Sequence, residues 1–130
     1  MAAPAEPELT DEERLAVARG VAQFNRGLYF ECHETLEGVW LSYTGPARDL
    51  FQGLIQVSVG FYHLGRGNRT GALSTFKRAT GRLAVYPDIY FGFAIAAERA
   101  RLQALLVSLA GDGIGVPEEP PSWRFDGLPP

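Results

Sequence analysis

Leu50-Phe51-Gln52-Gly53-Leu54-Ile55-Gln56-Val57-Ser58-Val59-Gly60-Phe61-Tyr62-His63-Leu64 is the stretch on which the fold turns. It is apolar on most of its surface, too long for an ordinary strand and without strand alternation. It is also too short and too polar to span a bilayer, which takes ~20 apolar residues. That combination predicts a buried central helix over about 47–65. Pro46 suits its first turn, and Gly65-Arg66-Gly67-Asn68 ends it.

Helical signals continue on both sides. Thr10-Asp11-Glu12-Glu13 has the form of a capping box and starts a first helix running to about Asn25. Leu15, Ala18, Val21, Ala22 and Phe24 are expected on its buried side. Gly27 supplies a turn, and a second helix is expected over about Leu28–Tyr43. Asn68 is a plausible cap for a fourth helix, about Arg69–Tyr86, with Ala72, Leu73, Phe76, Ala79 and Leu83 inward. Lys77, Arg78 and Arg82 read as its solvated side, and Gly71-Ala72 as a point of close helix contact. After Pro87, residues 87–92 read as an aromatic connection, and a fifth helix is expected over about 93–110. No stretch alternates with the strand period, so the fold class is all-α: a compact array of about five helices around a buried third. The domain is read as 10–111, preceded by a disordered leader (1–9) and followed by a Pro/Gly-rich tail (112–130) that Trp123 and Phe125 staple to the core.

Composition narrows the function. The chain has 130 residues, 46% hydrophobic and 12% aromatic, which suits a single globular domain. A formal net charge of −3 argues against a nucleic-acid binder driven by bulk charge. The single Cys excludes an internal disulfide and a Cys-rich zinc module, and suits a reducing cytoplasm. The first nine residues carry no basic, apolar leader, and no membrane partner is expected.

The candidate site lies where polar residues interrupt apolar helices. Helix residues turn by ~100°, so Glu37 and Trp40 fall within ~40° of His33, with Glu34 on the flank. On the third helix, Gln52, Gln56 and His63 fall within ~80° of Arg48. A short link makes the two helices antiparallel neighbours, with Glu37 opposite Gln52, His33 opposite Gln56 and Trp40 near Arg48. His33, Glu34, Glu37, Arg48, Gln52, Gln56 and His63 are therefore expected as a polar seam, with Glu37 accepting from Arg48 or Gln52 and His33 bonding Gln56.

His33-Glu34-Thr35-Leu36-Glu37 also resembles the zinc-protease pattern with Glu in place of the second His. As ligands, His33, Glu37 and His63 would hold a divalent metal such as zinc, and Glu34 would activate water. Against this, His63 is offset from His33 by ~10 Å of helical rise, so no cofactor is the primary expectation. Cys32 reads as a small buried residue. Arg66, Asn68 and Arg69 form a candidate anion site at a helix N-terminus. Trp40, Phe51, Phe61 and Phe76 are expected in the core. The Tyr86–Phe93 connection is read as exposed, hence a candidate homo-oligomer interface.

Three segments together resemble the domain of unknown function 309 family. They are Phe24 to Trp40 with Gly45 and Arg48, Phe51-Gln52-Gly53-Leu54-Ile55-Gln56, and the run from His63 to Ala72. The resemblance covers about 20–86 and implies a compact helical array of small bacterial and archaeal proteins. It implies no reaction, and Cys32 stands where the family often has a smaller residue. The expectation is a non-catalytic binding module for a protein or a small polar ligand, with a metal-assisted hydrolase as the alternative.

Overall fold

The structure is a computed structural model that describes residues 3–112 and 121–125. Among the described residues it contains five helices: α1 (Asp11–Asn25), α2 (Tyr29–Ser42), α3 (Arg48–Gly65), α4 (Arg69–Leu83) and α5 (Ile95–Ala110). None is long and apolar enough to cross a membrane. The all-α expectation holds.

The capping box forms as read. Glu13 N donates to Thr10 Oγ1 at 3.0 Å, and Thr10 N donates to Glu13 Oε1 at 3.0 Å. α3 is the central helix: Leu50, Phe51, Leu54 and Val57 are fully or almost fully buried. It packs against α2 on one side and α4 on the other. Glycines set the spacing. A Cβ at Gly60 would lie 2.4 Å from the Phe76 ring, and one at Gly53 would lie 2.9 Å from Leu83 Cδ2. Gly20 does the same for α1, where a Cβ would lie 2.9 Å from Leu36 Cδ2. That contact rotates α1 from the expected face: Val17, Gly20, Val21 and Phe24 are buried, whereas Leu15 is 55% exposed.

α3 lacks a side-chain cap at its N-terminus, and tyrosines supply the partners instead. Tyr86 Oη accepts from Leu50 N at 2.8 Å, and Tyr43 Oη accepts from Ala47 N at 3.3 Å. This role draws Tyr86 out of α4, which ends three residues earlier than its sequence pattern suggests.

Between α4 and α5 the chain forms a short antiparallel hairpin, β1 (Ile89–Tyr90) and β2 (Phe93–Ala94). It is too short to show an alternating pattern. Phe91 and Gly92 both have positive φ, 49° and 75°, as a two-residue type I′ hairpin loop requires. Tyr86, Tyr90, Phe91 and Phe93 are buried. The aromatic residues of the connection expected to be an exposed oligomer interface are therefore part of the core, while Pro87, Asp88 and Ile89 are exposed.

Both ends of the described chain pack onto this hairpin. Tyr90 Oη donates to the Ala5 carbonyl at 2.5 Å, Phe91 N donates to Glu6 Oε2 at 3.1 Å, and Pro7 is buried. These contacts fix residues 5–7 against the domain. Trp123 stacks on Phe24 at 3.7 Å, and Phe125 stacks on Phe93 at 5.1 Å. The intervening tail, 113–120, and the last five residues lie outside the described ones.

Candidate functional site

The buried face of α2 is Cys32, Leu36 and Val39. Adjacent helix residues point ~100° apart, so His33 falls at the rim of the α2–α3 contact and Glu34 and Glu37 fall outside it. The expected buried seam is consequently divided. His33 Nδ1 lies 2.7 Å from the Phe30 carbonyl. A carbonyl only accepts, so Nδ1 carries the proton. Nε2 faces Glu37 Oε2 at 3.7 Å, a loose approach between a ring 22% exposed and a carboxylate 50% exposed.

Arg48 does not reach Glu37. Its Nε donates to the Tyr43 carbonyl at 3.0 Å and its Nη2 to the Trp40 carbonyl at 3.3 Å, and the guanidinium lies 4.0 Å over the Trp40 ring. Arg48 thus occupies the carbonyls at the end of α2, a role that suits a cation at a helix C-terminus. The expected neighbourhood of Trp40 and Arg48 is present, but Trp40 is half-buried, unlike Phe51, Phe61 and Phe76. Gln52 is half-buried, and Gln56 is buried with its Oε1 unpartnered among the described residues. The Gln56 bond expected from His33 is not made.

His33 and His63 line one shallow hollow of about 190 Å³ with Tyr29, Phe30, Val59 and Tyr62. Levels along the helices place their backbones far apart, but side chains lean toward the N-terminus of their own helix. In an antiparallel pair, His33 leans toward the level of Phe30 and His63 toward that of Gly60. Both rings thereby reach the same hollow. Phe30 joins them, 5.0 Å from His33 and 5.6 Å from Tyr62. A second hollow continues along α2 over Phe30, His33, Glu34, Glu37, Gly38 and Leu41.

This arrangement does not complete a metal site. His33 Nε2 and Glu37 could offer two ligands, but Asn68 Nδ2 lies 3.3 Å from His63 Nδ1 and donates to it. In the neutral ring the His63 proton then sits on Nε2. Among the described residues no group of three or more His, Cys, Asp or Glu side chains could hold a metal ion. Cys32 is fully buried, and burial pushes its thiol up to about 12, so it is no nucleophile.

The candidate anion residues are engaged elsewhere. Asn68 Oδ1 accepts from Gly71 N at 2.9 Å, capping α4, and a Cβ at Gly71 would strike that Asn68 side chain rather than a neighbouring helix. Arg69 turns to the C-terminus of α5, where Nε donates to the Leu109 carbonyl at 2.9 Å and Nη2 contacts the Gly111 carbonyl. Arg66 lies over the Tyr62 ring at 5.5 Å. Lys77 and Arg78 are exposed as expected, while Arg82 pairs with Asp49 at 2.5 Å.

Sequence reasoning passed over Glu98 and Asn25. Glu98 is 5% exposed, and its position between Ile95 and Leu102 on the apolar stripe of α5 was the available signal. Asn25, the last residue of α1, gave none, because its partner is 98 residues away.

No curated protein matches the chain significantly. The model of a family described as Domain of unknown function (DUF309) matches residues 17–75, which run from the middle of α1 into α4. The family that the motifs of α2 and α3 resemble is thus the one this match supports, DUF309.

Proposed function

We propose that the protein is a non-catalytic binding module that receives a protein partner on the outer face of the α2–α3 pair. The observation that carries this reading is the surface of the two adjoining hollows. Phe30 is 46% exposed and Leu41 64% exposed along one side of α2, and Glu34 and Glu37 lie between them. An exposed aromatic and an aliphatic side chain beside carboxylates suit a partner segment with apolar residues flanked by basic ones. His33 and His63 line the same surface and would offer hydrogen bonds to that segment.

A photo-crosslinking residue placed at Leu41 should give a discrete adduct in cells, and Phe30→Glu should abolish it. The same residue at Lys77, on the opposite solvated face of α4, should give none. Equal adducts from both positions would remove the support for this face. Elemental analysis of untagged protein separates the module from a metal-assisted hydrolase. Stoichiometric zinc, lost in both His33→Ala and Glu37→Gln, would replace the binding reading with the catalytic one.

A further inference from the structure

Residues 121–125 form neither helix nor strand and lie across the end of α1, the hairpin and the start of α5. They are held as a bound peptide is held. Asn25 reads the main chain at Trp123 in both directions: its Nδ2 donates to the Trp123 carbonyl at 2.9 Å and its Oδ1 accepts from Trp123 N at 2.6 Å. Arg101 Nη2 donates to the Ser122 carbonyl at 3.3 Å. The Trp123 ring lies against Phe24 with an interplanar angle of 5°, and Phe93 meets its edge at 90°. Two residues on, Phe125 packs on Phe93 and Phe91. Main-chain bonds with pockets for alternate side chains are the signature of extended-peptide recognition.

Polar side chains line the groove beside the ring. Glu98 is 5% exposed; its Oε2 pairs with the Arg101 guanidinium, and its carboxylate meets the side chain of Trp123. Both line, with Arg101, Phe93 and Leu54, a hollow of about 170 Å³ beside the ring. The indole N–H of the segment thus faces a buried carboxylate acceptor, as a buried Trp requires.

We propose that this groove is a peptide-recognition site for segments of the form Trp-x-aromatic, and that residues 121–125 are its built-in, displaceable occupant. Its lining is separate from the His33–Glu37 face. The fitting partner is a segment with a Trp whose indole N–H reaches Glu98 and an aromatic residue two positions later. Tethering gives the intrachain segment an effective concentration of order millimolar, so an outside peptide competes poorly until the segment is weakened.

The test uses the full-length chain with Trp123→Ala and a fluorescein-labelled peptide of the sequence Pro121 to Phe125, followed by anisotropy. Trp123→Ala should bind the peptide saturably, and the unsubstituted protein should bind it at least about tenfold more weakly. A peptide with Ala in place of its Trp should not bind, and adding Asn25→Ala to the variant should weaken binding by tenfold or more. Should circular dichroism show Trp123→Ala unfolded, Phe125→Ala takes its place under the same criteria. Absence of binding by the folded variant, equal binding by the unsubstituted protein, or full binding after Asn25→Ala would each overturn the proposal.

Discussion

Glu13 shows how one side chain can join two levels of structure. It completes the Thr10 capping box and also accepts from Ser42 Oγ at 2.8 Å, tying the start of α1 to the end of α2. The Thr10 main-chain N–H first, and the Ser42 hydroxyl second, hold its carboxyl below the usual value of 4.5. A depressed folded-state pKa means stability that is present above 4.5 and lost as pH falls through the folded value. Glu13→Gln should therefore flatten the acid limb of stability, which urea midpoints between about pH 3 and 6 would show as converging curves. Equal acid sensitivity in both proteins would show that the tie contributes nothing. Glu98 shows the reverse balance: burial pushes its carboxyl up, opposed by the adjacent Arg101 guanidinium.

At the scale of elements, α4 and α5 close each other's ends. Arg69, the first residue of α4, donates to the last carbonyls of α5. Arg99, near the start of α5, donates to the Tyr86 carbonyl at 2.8 Å and the Leu83 carbonyl at 3.5 Å, and pairs with Asp88 at 2.9 Å. Each cation sits where carbonyls are orphaned and the helix dipole is negative. Arg69→Ala and Arg99→Ala should each cost about 1–2 kcal/mol, measured by chemical denaturation. Lys at either position should recover only part, because it lacks the guanidinium fork. A loss within about 0.3 kcal/mol for both would mean solvent serves those carbonyls equally well. Gly60 marks a different element-level constraint, the α3–α4 distance. Gly60→Ala should destabilise by about 1–3 kcal/mol through the clash with Phe76, seen as a lowered Tm.

Cys32 reports on the whole molecule. It is sealed between helices, so its thiol becomes accessible only when the α2–α3 packing opens. Thiol labelling of the native protein should be negligible at neutral pH and should rise with denaturant in step with loss of helical signal. Fast labelling of folded protein would mean that α2 opens locally. The five helices, their order and the central place of α3 were legible because each rests on local signals: a capping box, turn glycines, and apolar periodicity. The candidate site was legible only in part. His33, Glu34 and Glu37 share one helix and line one hollow, so their proximity follows from local periodicity. Their partners were not legible, because Arg48 turned to main-chain carbonyls and Gln56 Oε1 remained unpaired among the described residues, and helical angles alone do not reveal a choice between main-chain and side-chain acceptors.

The sequence by itself determined the helical elements and the motifs they carry, because caps, turns and periodicity act over a few residues. Tertiary structure decided which groups meet. It brought His33 and His63 to one hollow through the lean of their side chains. It buried the Tyr86–Phe93 connection, and it set Trp123 on Phe24 under the clamp of Asn25. Those outcomes depend on helix rotation, close approach at glycines and contacts across most of the chain length, and no local pattern encodes them.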